Sequence, residues 1–199
     1  MNHCIIPAKG ISTRLPMKNK KTFLGKPIIE YVIDTVKEAG VFDRIEVLTD
    51  DMDIMRIAEK NGISTLRENA DIYSERRTLS DVVMDYICEM DISEGHVSVI
   101  LPTSVFISPS EIIDGISKFK DDSFFVGKQI DKKCVNCYVD GDRLSNKYIN
   151  TVSQKIPQPY VDSGQFYYLN VEDFIENQII LSIGIKMLEL DHDSIDIDT

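Results

Sequence analysis

"NHCIIPAKGISTRLPMKNKKTFLGKPIIEYVIDTVKEAG", residues 2–40, passes from a short apolar run through a basic loop into a helical pattern. "NHCII" reads as a buried strand. In "PIIEYVIDTVKEAG" the residues Ile28, Ile29, Val32, Ile33 and Val36 recur at the spacing of one helix face. Pro27 suits the first helical turn and Gly40 the C-terminal cap. The same order then repeats. "RIEVLTD" is a second strand, and Asp51 or Asp53 is placed to cap the helix of "DIMRIAEKNG", with Asp51 the better candidate. "ISTLR" is a short third strand, and Leu79, Val82, Val83, Tyr86, Ile87 and Met90 stripe the next helix. "HVSVILPTS" is a fourth strand, followed by "SPSEIIDGISKFK", where Ser108 and Glu111 have capping-box spacing. Strands alternating with helices of this length predict an α/β fold, a mostly parallel sheet with helices on both faces.

The rhythm changes after about residue 122. "SFFVGKQI", "NCYVDGDRLS" with its Asp140-Gly141 turn, "GQFYYL" and "IILSIGIKMLEL" read as strands, with "VEDFIEN" a short helix among them. No Ser/Gly/Pro-rich linker or internal repeat divides the chain. The expectation is a single domain over residues 1–199 with a β-rich arm at about 125–170, used in dimerisation.

With 199 residues and 43% hydrophobic content, the chain is long enough for one good core. It has no apolar run of membrane-spanning length and no signal-peptide pattern, so the expected location is cytoplasmic and no membrane partner is implied. Four unevenly spaced cysteines agree with a reducing compartment. Cys134 and Cys137 have CxxC spacing, but no second pair completes a zinc set. A formal net charge of -11 argues against nucleic acid as a partner, since phosphate affinity there needs a broad basic face. The basic loop therefore serves something small.

In an open parallel sheet, ligands collect at the carboxyl ends of the strands, where the first strand ends near Pro7. Gly10 lets the backbone approach a bound group, Ser12 and Thr13 offer hydroxyls, and Lys9, Arg14, Lys18 and Lys20 offer charge for phosphate oxygens. A triphosphate fits that density of donors. Neither a Walker A loop nor the GxGxxG fingerprint is present, and a solvated basic loop is the alternative reading.

"IPAKGISTRLPMKN", "GKPIIEYVIDTVKEAGVFDRIEVLTDD", "TLRENA", "LPTSVF" and the terminal "DSIDIDT" together resemble the nonulosonate cytidylyltransferases, the acylneuraminate (CMP-sialic acid synthetase) family. The match runs in order along nearly the whole chain, and "QPYVDSGQFYYL" is more similar to the pseudaminic acid branch. The resemblance implies a nucleotide-diphospho-sugar transferase fold and a nucleotidyltransferase reaction. CTP and a nine-carbon 2-keto sugar acid of pseudaminic, legionaminic or sialic type would give the CMP-sugar and pyrophosphate. It further implies nucleotide contacts from Lys9, Gly10, Ser12, Lys18, Asn19, Arg67 and Thr78, a sugar pocket at Gln165 and Tyr167, catalytic roles for Lys18 and Asp198, and a homodimer.

In an extended "SIDID", Asp196 and Asp198 share one face, as two hard oxygen ligands for Mg²⁺ should. From the residues alone a solvated acidic terminus is the commoner fate; the resemblance favours the metal. The sequence also departs from the family pattern. Ile11 replaces a glycine, Lys9 an arginine, Thr13 a lysine and Leu101 a glutamine, and Lys lacks the bidentate fork of Arg. Those departures keep open an alternative, a catalytically impaired nucleotide-binding homologue with a regulatory or assembly role.

Overall fold

The computed structural model describes residues 1–12, 15–67, 77–129, 138–139, 142–143, 151–157 and 160–190. In chain order the elements are β1 (Asn2–Pro7), β2 (Thr22–Phe23), β3 (Lys26–Pro27), α1 (Ile28–Ala39), β4 (Arg44–Thr49), α2 (Met52–Lys60), β5 (Ser64–Arg67) and α3 (Leu79–Glu89). Then follow β6 (His96–Ile100), α4 (Pro109–Lys118), β7 (Phe124–Gln129), β8 (Tyr138–Val139), β9 (Asp142–Arg143), β10 (Tyr160–Asn170), α5 (Val171–Asn177) and β11 (Lys186–Glu189).

Seven strands form the main sheet in the order β11-β7-β10-β6-β1-β4-β5. Its strands pair in parallel except β10, which is antiparallel to β6 and β7 alike. The predicted mostly parallel α/β sheet is therefore the observed one. From the segment read as an arm, β7 and β10 join this sheet, while β8 and β9 pair separately on either side of positions 140–141. In "IILSIGIKMLEL" only Lys186–Glu189 is strand. Gln178 and Gly184, both at positive φ, turn the chain before it. The short β2–β3 hairpin was not legible in the sequence; its turn carries Leu24 and Gly25 at φ 44° and 95°.

The helices start and stop where side chains can satisfy their ends. Asp51 caps α2, accepting from Asp53 N–H at 2.8 Å and Ile54 N–H at 3.2 Å. Capping boxes open α3 at Thr78 and Asp81, and α4 at Ser108 and Glu111. Gly40 ends α1 in the left-handed conformation.

Alternation along the strands builds two cores. Ile6, Val47, Ile100, Phe166 and Tyr168 meet α1, α2 and α4 through Val32, Ile54 and Ile112. On the other face Ile5, Leu48, Val99, Tyr167 and Leu169 meet α3 and α5 through Val83, Tyr86 and Phe174. Each fully buried aliphatic or aromatic side chain contributes about 1.5–3 kcal/mol. Among the described residues no helix is long and apolar enough to cross a membrane.

A polar chain runs through the second core. Tyr86 donates its hydroxyl to Glu46 Oε2 at 2.6 Å, Arg44 donates to Glu46 Oε1 at 2.9 Å, and His3 Nδ1 lies 2.9 Å from the Tyr86 oxygen. With the tyrosine proton given to the carboxylate, His3 must donate, which fixes the Nδ1–H tautomer. Burial, with the Arg44 charge behind it, holds His3 below its ordinary pKa. Burial does the same to His96, which stacks on Tyr168 at 4.5 Å and has no partner at Nε2.

Both histidines therefore take up their proton at lower pH in the folded chain than in the unfolded one, whose ordinary value is about 6.5. Stability should be fully present above that pH and fall as pH drops through it, by at most about 1.4 kcal/mol per unit per histidine. Urea unfolding at pH 7.5 and 5.5 tests this in a window above the carboxylate range, and equal stabilities would contradict it. Tyr86→Phe should cost about 1–3 kcal/mol, because it strips a partner from a buried carboxylate.

Candidate functional site

The sheet order reverses direction about β1, so the carboxyl ends of β1, β4 and β6 meet where an open α/β sheet is expected to form its ligand crevice. One wall is the loop from Ala8 to Lys20. Its backbone is tied to the end of β4 at successive points. Ala8 N–H donates to Leu48 O at 2.8 Å, Thr49 Oγ1 donates to Ala8 O at 2.6 Å, and Gly10 N–H donates to Asp50 Oδ1 at 2.7 Å. Farther along, buried Asn19 donates through Nδ2 to Lys9 O at 2.8 Å, closing the loop on itself.

The close approach that Gly10 permits is to protein rather than to open crevice. A Cβ there would lie 2.8 Å from Asp51 Cβ and 2.9 Å from its Oδ2. With its N–H on Asp50, this glycine seats the loop against the start of α2.

Four cations in the loop were expected to face phosphate. Lys20 is committed elsewhere, since its Nζ lies 2.7 Å from Asp51 and 2.9 Å from Asp53. Burial alone would push the Asp51 pKa up; the Lys20 ammonium and the two capping amides outweigh it and hold the carboxyl below its usual value. Lys20 likewise lowers Asp53 and is itself raised by its bonds to both acids. This lysine neutralises two carboxylates that would otherwise repel an anion beside the loop. Lys9 is exposed, Ser12 and Lys18 are half-buried, and the Ser12 hydroxyl accepts from Leu15 N–H at 3.4 Å. Thr13 and Arg14 lie outside the described residues.

Arg67 ends β5 in register with Thr49, so its backbone stands beside the anchor of the loop. Thr78 sits at the exposed start of α3, where its hydroxyl donates to Asp81 Oδ2 at 2.8 Å and accepts from Asp81 N–H at 3.2 Å. The Thr78 N–H, donating to Asp81 Oδ2 at 2.7 Å, and then its hydroxyl hold the Asp81 carboxyl below the usual carboxylate range. Thr78 is therefore a helix cap first, a role its spacing to Asp81 already allowed.

The opposite wall is β10. Gln165 accepts at its carbonyl from Leu101 N–H at 3.0 Å and from Ser104 Oγ at 2.9 Å. Its side chain is buried without partners at either amide atom, and Asn19 Oδ1 is likewise unpaired. Tyr167 donates its hydroxyl to Asp162 at 2.7 Å. The structure thus brings the loop residues and Arg67 to one wall and Gln165 and Tyr167 to the other. The sequence marked Asp51 as a helix cap and Lys20 as a cation for phosphate; what it did not show is that Asp50, Asp51 and Lys20 together tie the loop to the start of α2.

Asp196 and Asp198 lie outside the described residues, as do Cys134 and Cys137. Among the described residues no group of three or more His, Cys, Asp or Glu is arranged to hold a metal.

A cytidylyltransferase family model matches residues 3–178. The chain is 25% identical to a pseudaminic acid cytidylyltransferase of Campylobacter jejuni, over 100% of this chain and 91% of the relative. It is 28% identical to a CMP-N,N'-diacetyllegionaminic acid synthase of Legionella pneumophila, over 98% and 90%. A 96-residue stretch, 47% of this chain and 23% of the relative, is 33% identical to an N-acylneuraminate cytidylyltransferase of Streptococcus agalactiae. Among solved structures, a CMP:2-keto-3-deoxy-manno-octonic acid synthetase complexed with CTP superposes with a TM-score of 0.74 at 17% identity, over 100% of this chain and 93% of that one. A 4-diphosphocytidyl-2C-methyl-D-erythritol synthase from Anaerococcus prevotii gives 0.69 at 16%, over 100% and 92%. At such identities the structural likeness speaks to the fold alone.

If Lys20 screens the two acids, Lys20→Met should weaken nucleoside triphosphate binding on the order of tenfold, about 1.4 kcal/mol, although it adds no bulk to the loop. Gly10→Ala should cost about 1–3 kcal/mol of stability through its clash with Asp51. Calorimetric titration and urea unfolding check the two outcomes.

Proposed function

Because this chain belongs to the cytidylyltransferase family, we propose that it transfers CMP from CTP to a nine-carbon 2-keto sugar acid and releases pyrophosphate. The acid is of the pseudaminic, legionaminic or sialic type, as the names of the full-length relatives suggest. The observation that carries the reading is the loop anchored on β4, which carries Lys9, Ser12 and Lys18 beside the carboxyl ends of the parallel strands, where α/β sheets take their ligands. In this reading the anomeric hydroxyl forms a bond to the α-phosphorus while the bond to the β-phosphate breaks, so the protein's task is positioning and charge neutralisation.

Lys9 and Lys18 face the phosphates, and Gly10 and Ser12 shape their cradle. Asn19 turns its unpaired Oδ1 to a donor of the nucleotide. Arg67 and the start of α3 at Thr78 flank the cytidine, and Gln165 with Tyr167 lines the sugar side. Asp196 and Asp198 are a hard oxygen donor pair suited to Mg²⁺, which when bound would neutralise phosphate charge and acidify the attacking hydroxyl. A homodimer belongs to the same proposal; exposed Tyr160 and Val161, on the segment read as an arm, are apolar surface for a second copy to cover.

Pyrophosphate release with CTP, Mg²⁺ and a panel of sialic, pseudaminic and legionaminic acids is the direct test. Turnover should need CTP, and CTP should raise the melting temperature more than ATP, GTP or UTP. Lys18→Ala and Asp198→Asn should each lower kcat/KM about a hundredfold, near 3 kcal/mol. CTP binding without turnover on any acid would select the non-catalytic homologue, and equal shifts with all four nucleotides would remove the cytidine site. Light scattering should give twice the chain mass.

A further inference from the structure

The peptide unit between Lys9 and Gly10 is gripped at both of its polar atoms. Its N–H, that of Gly10, donates to Asp50 Oδ1 at 2.7 Å, and its C=O, that of Lys9, accepts from Asn19 Nδ2 at 2.8 Å. The two side chains come from different places in the fold, one just past the end of β4 and one in the short turn at Lys18–Lys20.

Without those grips the unit would be free to turn over. Turning a peptide plane by half a turn changes ψ of the residue before it and φ of the residue after it, and glycine accepts φ of either sign. Gly10 is a glycine for room, since a Cβ there would lie 2.8 Å from Asp51 Cβ. The residue choice that seats the loop against the start of α2 therefore leaves this stretch of backbone two orientations to choose between.

The two grips do not choose alike. A carboxamide both donates and accepts, so Asn19 can bond the unit either way up, through Nδ2 to Lys9 O as observed or through Oδ1 to the Gly10 N–H of a turned unit. A carboxylate only accepts. Asp50 stabilises the observed orientation and would meet a carbonyl oxygen in the other one. The choice then passes to Asn19, which is 5% exposed: with Nδ2 committed to Lys9 O, the atom left without a partner among the described residues is Oδ1, an acceptor. In a turned loop that atom would be an N–H donor.

Resting on the nucleotide reading above, we propose that Asp50 is a positioning residue that decides, through the Lys9–Gly10 peptide, that Asn19 offers the nucleotide an acceptor. Asp50 itself touches no substrate. The atom it selects is matched to a hydroxyl or amino donor of CTP. The charge and the geometry of Asp50 then act in opposite directions. A carboxylate beside a loop that meets a polyphosphate repels it, so electrostatics alone has its removal tighten binding. Positioning has its removal weaken binding.

The test compares parent, Asp50→Asn, Asp50→Ala, Asn19→Ala and the double variant of Asp50→Ala with Asn19→Ala, by calorimetric titration with CTP and by steady-state turnover, all below the melting temperature of the least stable. Asp50→Ala should weaken CTP binding about tenfold, raising KM for CTP while kcat stays within about threefold. Asp50→Asn keeps the shape of the side chain but serves either orientation, so it should weaken binding in the same direction by a smaller factor. The double variant should bind CTP within about twofold of Asn19→Ala alone, because Asp50 then has nothing to position. Tighter CTP binding by Asp50→Asn reduces Asp50 to a repelling charge and overturns the proposal. Additive losses in the double variant assign it to the general stability of the loop, and a fall in kcat at constant KM places it among the reacting groups; either result overturns the proposal as well. If the parent binds no CTP, the nucleotide reading itself fails and takes this inference with it; CTP binding that Asp50→Ala leaves unchanged defeats the inference alone.

Discussion

Three consecutive residues at the end of β4 hold the loop that defines the crevice. Thr49 grips the Ala8 carbonyl, Asp50 takes the Gly10 amide, and Asp51 caps α2 while binding Lys20. The loop is thereby tied near its beginning and at its end to a buried strand. Ordering a free loop costs about 1–2 kcal/mol per residue in backbone entropy. Doing so during folding, rather than on ligand binding, preorganises the wall that a nucleotide would meet. The arrangement puts acids next to a loop proposed to meet an anion, and Lys20 would offset that penalty by occupying two of them.

The second wall depends on the direction of one strand. Because β10 runs opposite to its neighbours, its first half lies at their carboxyl ends and its second half lies in the core. Ser163, Gly164 and Gln165 consequently lie at the carboxyl end of β6, while Tyr168 and Leu169 pack beneath helices on the two faces. A parallel strand at that position would send its opening residues to the far edge of the sheet. A bulge in β10 between Asp162 and Tyr167 is possible for the same reason, since the half of β10 that carries it pairs with β7 before the regular pairing with β6 begins.

At the other end of the sheet, polar groups serve stability. His3, Glu46 and Tyr86 pair across β1, β4 and α3, and His96 stacks on Tyr168 near the start of β6. These groups lie at the amino ends of the parallel strands, away from the crevice at the carboxyl ends. The acid sensitivity of the fold and the charge chemistry of the site are therefore carried by separate residues.

Much of the fold was legible because it rests on local pattern. The stripe of Ile28, Ile29, Val32, Ile33 and Val36, the caps at Asp51 and Ser108 and the stop at Gly40 each depend on residues within a turn of one another, and each stands as read. The loop's residue types likewise carry the proposal of an anion site. Tertiary structure alone decided that Lys20 turns to Asp51 and Asp53, that Gly10 packs on Asp51, and that Gln165 lies buried opposite Leu101 with no partner for its amide. Those outcomes follow from strand order and register between segments about 30 to 65 residues apart in the chain. Hydrophobic periodicity states which face of each element is buried; it carries no information about which strand will lie beside it, or in which direction.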